Sequence, residues 1–266
     1  MQLKGKELCM IDIQHLHKTY GNAKKANDDI TLQIYPGEIF GLLGPNGSGK
    51  STLFKQMTGI IQPDYGDVIL NGHSIVSDSL EAKKTFAFVS DTPDNFLQLK
   101  GIEYLNFVAN IYQVPNKEKA QRIESTAREF GMYDDLGKQI ASYSHGMRQK
   151  IMVIGALVVN PDIWILDEPM VGLDPRSAFN LKNKMREHAD KDNIVIFSTH
   201  VLEVAEQIVD RLAIINKGHL VFVGTVDQLR EMNHSDKSLE QIFLELTDTE
   251  GENPLSQEKL DAAQGV

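Results

Sequence analysis

Gly44-Pro45-Asn46-Gly47-Ser48-Gly49-Lys50-Ser51 stands between the apolar run Ile39-Phe40-Gly41-Leu42-Leu43 and a helix-forming stretch from Lys50 to Thr58. It matches the pattern G-x-x-x-x-G-K-S/T in a strand-to-helix context, which is what gives the pattern meaning. Glycines let the backbone wrap so that successive N–H groups point inward at a phosphate. Lys50 supplies a mobile cation for the β- and γ-oxygens, and the Ser51 hydroxyl is a ligand for Mg²⁺. The helix that starts here adds the positive end of its dipole. A chain of this length meets the pattern by chance about once in a hundred times, before the flanking elements are counted. Nucleotide binding follows.

A second motif completes the chemistry. Ile163-Trp164-Ile165-Leu166-Asp167-Glu168 reads as a buried strand that ends in two acids. Alone it would be a strand followed by an acidic turn at Pro169. Beside a phosphate loop, Asp167 is expected on the metal side and Glu168 as general base for the attacking water.

Outward from these two points the chain alternates. Ile11 to His15 and Ile30 to Ile34 read as strands, and Asp67 to Leu70 runs into Asn71-Gly72, a strong hairpin signal. From Gly101 to about Val158 the apolar spacing turns helical, as at Leu105, Val108, Ala109 and Tyr112. Asn116 is expected to cap one of these helices and Gly131 to end it, as Gly59 ends the helix after the phosphate loop. After Pro161 strands and helices alternate again: Ile163 to Leu166, Arg176 to Ala189, Ile194 to Phe197, Val201 to Asp210 and Leu212 to Ile215. Thr225 with Gln228 and Ser238 with Gln241 are capping-box pairs for two short helices. The expected fold class is α/β: a mainly parallel sheet core, an antiparallel β subdomain and an α-helical insert.

Composition narrows the function. The 266 residues carry 37 acids against 27 bases, a net charge of −10, where a nucleic-acid binder shows a basic footprint. No nucleic-acid partner is expected. A single cysteine, Cys9, excludes an intrachain disulfide. The longest apolar run, Ile151 to Val159, falls far short of the roughly 20 residues of a membrane span. The start, MQLKGKELCMID, lacks the apolar stretch of a signal peptide, so the chain is expected to be soluble and not secreted. His15 and His17 alternate on a strand with no third ligand near them, and no metal is assigned there.

With both motifs placed, Tyr143-Ser144-His145-Gly146-Met147 resembles the signature loop of ABC transporter ATPases. Tyr20, ahead of the phosphate loop, stands where that family has an aromatic for adenine. Gly172-Leu173-Asp174 looks like its D-loop, and Ser198-Thr199-His200 like its switch histidine. The resemblance runs from about Ile11 to Leu229. It implies ATP and Mg²⁺ as ligands, with Tyr20 and residues Gly44, Pro45, Asn46, Gly47, Ser48, Gly49, Lys50, Ser51 and Thr52 on ATP. Catalysis would fall to Glu168, His200 and Lys50, and the metal to Ser51, Asp167 and Asp91. Ser144, His145, Gly146 and Met147 would face the γ-phosphate held by another subunit, with Asp174 at the subunit contact. Read singly, Tyr20 is a surface tyrosine, Ser144 and Asp174 are helix caps, and His200 is a packed histidine.

The sequence departs from the family pattern in three places. Phe86-Ala87-Phe88-Val89-Ser90-Asp91 ends in an aspartate where the family has a glutamine. His145 replaces a glycine, and Met147 replaces a glutamine and cannot make its polar contacts. These variants look like exporter-type systems, including the Ecs-like and bacitracin-resistance-like groups. The implied arrangement is a core over 1–90 and 161–229, a helical subdomain over 91–160, a C-terminal extension over 230–247 and an acidic mobile tail over 248–266. The implied partners are separate transmembrane permease subunits and a second ATPase subunit, as homodimer or heterodimer, at the cytoplasmic face of the membrane. The groove around Asp91 and the helical insert would receive a cytoplasmic helix of the membrane partner. A soluble ABC ATPase acting on ribosomes or DNA is the alternative. A binding-only regulatory subunit is a third reading, which the intact Lys50, Asp167, Glu168 and His200 oppose.

Overall fold

The computed structural model describes residues 10–21, 24–94, 96–231 and 239–248. In chain order the strands and helices are β1 (Ile11–Tyr20), β2 (Lys24–Ile34), β3 (Ile39–Leu43), α1 (Lys50–Met57), β4 (Tyr65–Leu70), β5 (His73–Ser74), α2 (Ser79–Lys84), β6 (Phe86–Val89) and α3 (Gly101–Ile111). There follow α4 (Asn116–Glu129), α5 (His145–Val159), β7 (Ile163–Leu166), α6 (Pro175–Ala189), β8 (Ile194–Thr199), α7 (Leu202–Ile208), β9 (Arg211–Asn216), β10 (His219–Gly224), α8 (Val226–Glu231) and α9 (Leu239–Asp248).

Six strands form the central sheet in the order β10-β9-β3-β8-β7-β6, parallel except for the β9–β10 hairpin. β3, β7 and β8 are buried at every position, as expected of parallel strands covered on both faces. The second sheet, β2-β1-β4-β5, is antiparallel. Its inner residues, among them Ile11, Ile13, Leu32 and Val68, share one apolar cluster with Leu53, Phe54 and Met57 of α1 and with one face of the central sheet. The other face carries a second cluster, in which Leu105, Ala109, Ile123, Ala127 and Ile151 of α3 to α5 pack with Trp164, Leu181 and Met185. The helical insert therefore shares a core with the sheet.

Local chemistry explains the boundaries. Gly59 (φ +64) and Gly131 (φ +68) end α1 and α4, each with paired bonds back into the last turn, Ile60 N–H to Lys55 O at 2.9 Å and Met132 N–H to Ala127 O at 2.8 Å. Asn71 and Gly72 both take positive φ between β4 and β5, as a tight hairpin turn requires. Thr225 and Gln228 exchange the two bonds of a capping box at 2.8 and 3.2 Å. Two expectations need correction. Asn116 is the first residue of α4 and Pro115 precedes it as the cap, because proline fits the helix entry without needing a donor. The helix expected from Val201 to Asp210 is shorter, Leu202–Ile208, since Asp210 instead accepts the Ile39 N–H at 2.8 Å and joins β3. Ser238 and most of the acidic tail lie outside the described residues, while Asp248 closes α9.

Candidate nucleotide site

Parallel pairing fixes where the functional ends fall. Leu43 lies opposite Thr199, Leu166 opposite Phe197, and Val89 opposite Leu166. The C-terminal ends of β3, β8, β7 and β6 therefore meet at one edge, where an open α/β sheet offers its crevice. They deliver the phosphate loop, His200, Asp167-Glu168 and Asp91 respectively. A cavity of about 400 Å³ opens there, lined by Tyr20, Ala26, Asn46, Gly47, Gly49, Lys50, Ser51, Thr52, Asp91 and Glu168.

The loop is held from behind. Gly49 sits at φ +120, and a Cβ there would meet Ala26 O at 2.4 Å and the Asn27 side chain at 2.6 Å. A Cβ on Gly44 would stand 2.3 Å from Ile215 O and 2.6 Å from Ser48 Oγ. Only glycine allows the turn to nest so closely on β2 and β9. Gly47 takes φ +79, and Ser48 N–H closes onto Pro45 O at 3.2 Å. Lys50 curls across this loop and donates to Gly44 O at 2.6 Å and Pro45 O at 3.2 Å. Burial pushes its ammonium pKa down, opposed by the charges of Glu168 and Asp167.

The acids are ordered by one hydroxyl. Ser198 donates to Asp167 Oδ1 at 2.5 Å and accepts the Glu168 N–H at 2.9 Å. Asp167 is 1% exposed, and its Oδ2 is buried without a hydrogen-bond partner. Burial pushes its pKa up, against the pull of the Ser198 hydroxyl, while Asp91 and Glu168 add to the rise. A buried oxygen without a donor, beside Ser51, Lys50 and the phosphate loop, fits a divalent cation with oxygen ligands. Glu168 takes φ +48, a conformation a side-chain-bearing residue rarely adopts, and its Oε1 lies 3.0 Å from His200 Nδ1. Asp91 is exposed at the cavity wall, and its Oδ1 accepts from the Ser90 and Thr92 hydroxyls at 3.1 Å.

The expected signature and D-loop residues do not line this cavity. Ser144 caps α5 by accepting the Met147 N–H at 3.3 Å, and His145 is exposed at the first position of that helix. Gly146 packs on the Gly172 backbone, where an added Cβ would stand 2.4 Å from Gly172 O. Met147 is partly buried against the helical core, so its apolar chain serves packing. Asp174 caps α6 through Ser177 N–H at 3.0 Å and pairs with Lys150 of α5 at 2.5 Å, which holds its carboxyl far below the usual range. The residues expected to form the signature loop and the D-loop are thus in contact with each other.

Residues 27–171 match the family model described as ABC transporter. The chain belongs to the ABC transporter ATP-binding family. EcsA of Bacillus subtilis (strain 168), an ABC-type transporter ATP-binding protein, is 33% identical over 220 residues, 82% of this chain and 89% of the relative. A solved ATP binding subunit of an ABC transporter superposes with a TM-score of 0.84 at 31% identity, over 89% of this chain and 99% of that one. An ATP-binding cassette solved as a dimer in a post-hydrolysis state with ADP and Pi shares the fold, with a TM-score of 0.73 at 21% identity, over 82% of this chain and 99% of that one. The family is one of ATPases that bind and hydrolyse ATP, and the matched relatives are described as ATP-binding proteins of ABC transporters. Among the described residues no helix is long and apolar enough to cross a membrane.

Four residues at the site carry no recognisable role in the sequence. Ser198 was legible only as a neighbour of His200. Lys150 had no visible partner, because Asp174 is remote in the chain. Asn27 and Gln56, a buried amide pair 2.7 Å apart behind the loop, carry no motif at all.

Proposed function

We propose that the chain is the ATP-hydrolysing subunit of an exporter whose membrane-spanning subunits are separate chains, working at the cytoplasmic face of the membrane. The observation that carries this reading is the pairing of Glu168 with His200 at 3.0 Å at the edge that holds Lys50 and the phosphate loop. In this reading Tyr20 stacks on the adenine, worth about 0.5–1.5 kcal/mol by analogy with aromatic pairs. Gly44 to Thr52 wrap the phosphates, and Lys50 leaves its loop carbonyls to bind the β- and γ-oxygens. Ser51, Asp167 and Asp91 would hold Mg²⁺. When bound, the metal neutralises charge on the phosphate oxygens. Glu168 takes the proton of the attacking water, and His200 holds Glu168 and donates towards the γ-phosphate.

Each chain carries two half-sites: the cavity residues on one side, and Ser144, His145, Gly146, Met147 and Asp174 on the other. Two copies, or one copy and a relative, close head to tail over two ATP molecules, and hydrolysis reopens them. The dimer described for a fold neighbour supports this arrangement. The core over 1–90 and 161–229, joined by Asp91 at its border, supplies the first half-site and the subdomain over 91–160 supplies most of the second. An apolar groove of about 570 Å³, lined by Ile60, Leu80, Phe86, Phe88 and Ile111, runs along β6 on the way to Asp91 and suits a cytoplasmic helix of the membrane subunit. The lean to export rests on the variants at Asp91 and at His145 and Met147. The deciding experiment is Glu168→Gln. It should bind ATP normally, lose most hydrolysis and accumulate as a closed dimer; near-normal turnover would remove Glu168 from its role.

A further inference from the structure

Ser198 lies on β8 at 0% exposure, two residues before His200. A serine hydroxyl has one proton to donate. Because the Glu168 N–H already points at Oγ from 2.9 Å, that proton goes to Asp167 Oδ1, 2.5 Å away. One buried atom therefore touches both acids. Glu168 needs such a hold, since φ +48 is a conformation that persists only where the surroundings enforce it. On the backbone the turn is also tied by Asp167 N–H to Val89 O at 2.8 Å and by Val171 N–H to Glu168 O at 3.1 Å, but Ser198 Oγ is the side-chain atom that meets the Glu168 N–H itself. Asp167 needs it for a different reason. With Oδ1 engaged, the carboxylate cannot rotate freely, and Oδ2 is the oxygen left without a donor.

We propose that Ser198 is a positioning residue for ATP hydrolysis: it pins the turn that carries the Glu168 carboxylate to His200 and sets which oxygen of Asp167 is presented to the site. This rests on the reading of the chain as an ATPase. A serine that merely satisfied its own hydrogen bonds would matter to stability and leave turnover per folded molecule alone. A positioning serine separates the two, because ATP is gripped mainly by the phosphate loop while attack by water depends on the geometry of Glu168.

The test uses the full chain with Ser198→Ala, Ser198→Cys and Ser198→Thr. It measures kcat and KM for MgATP, the Kd of a non-hydrolysable ATP analogue, and the urea midpoint. Ser198→Ala should lower kcat about 10- to 100-fold, the loss expected when a hydrogen bond to a charged group goes. Its analogue Kd should stay close to that of the parent. Cysteine, similar in size with a weak S–H donor, should fall with alanine, and threonine, which keeps the hydroxyl, should recover most of the rate. Parent-like kcat in the alanine or cysteine variant would overturn the proposal, as would a folded threonine variant with no recovery. A proportional loss of kcat and analogue binding would also overturn it. A parent chain that binds ATP and never hydrolyses it would remove the ATPase reading itself, whereas a hydrolysing parent beside an unaffected alanine variant removes Ser198 alone.

Discussion

Replacing Lys50 by methionine separates the role of this cation in the fold from its role on ATP. In the structure its Nζ gives two hydrogen bonds to loop carbonyls, at 2.6 and 3.2 Å, and the side chain is 6% exposed. Methionine keeps most of the buried methylene chain, so no large cavity opens. The fold loses two bonds worth about 1 kcal/mol each and a nearby cation for Asp167 and Glu168. It also sheds the desolvation cost that pushes the lysine pKa down. These opposing contributions are of similar size, and the unfolding free energy without nucleotide should change by no more than about 1 kcal/mol. Binding of ATP is different. Charge-assisted bonds to phosphate are worth about 1.5–3 kcal/mol each, against about 1 for the carbonyl bonds given up. Two such exchanges leave a net loss of about 2.5 kcal/mol, or roughly sixtyfold in Kd. The assay is titration calorimetry with ATP beside urea unfolding of the same samples. An ATP affinity within a few fold of the parent would refute the assignment of Lys50 to the phosphates. A collapse in stability would show that its main role is in the loop.

Gly49→Ala should lower the unfolding free energy by about 3 kcal/mol, combining roughly 1–2 for the left-handed backbone and 1–3 for a Cβ driven into Ala26 O. Thermal unfolding would then move down by about 6 °C, and an unmoved midpoint would contradict the close packing of loop on β2. Asp91→Ala should depress hydrolysis stimulated by the membrane partner more than basal hydrolysis; equal effects in a reconstituted ATPase assay would count against a coupling role. His188, buried and stacked on Trp164 at 3.9 Å, has its pKa pushed down to about 4 by burial. The unfolded chain takes up that proton first, so stability is lost as pH falls from about 6.5 to 4, by up to about 2 kcal/mol. Urea midpoints across that range should fall less steeply for His188→Gln, and equal slopes would refute it.

The contrast between the phosphate loop and the contacts around Ser198 and Lys150 shows how a sequence exposes some residues and hides others. The phosphate loop is legible because all its parts are local: glycine torsions, a strand before, a helix after. Asp167 and Glu168 are nearly as legible, since they end a run that has no polar residue of its own. The capping pairs at Thr225 and Gln228 and the glycines at 59 and 131 are legible for the same reason, acting over one helical turn. Asn116 misled because proline and asparagine compete for a helix entry, and the backbone settled on the proline as cap.

What the amino-acid sequence determined by itself is the chemistry: a phosphate-wrapping loop, a cation, two acids and a histidine, with the order of strands and helices that carries them. What only the tertiary structure decided is their meeting. Strand order β3-β8-β7-β6 brings Lys50, His200, Glu168 and Asp91 to one edge from positions scattered over half the chain. It alone seats the Ser198 hydroxyl between two acids about thirty residues before it and draws Lys150 onto Asp174. Such contacts follow from sheet register and helix packing, which sum over the whole core, so no local stretch of sequence records them.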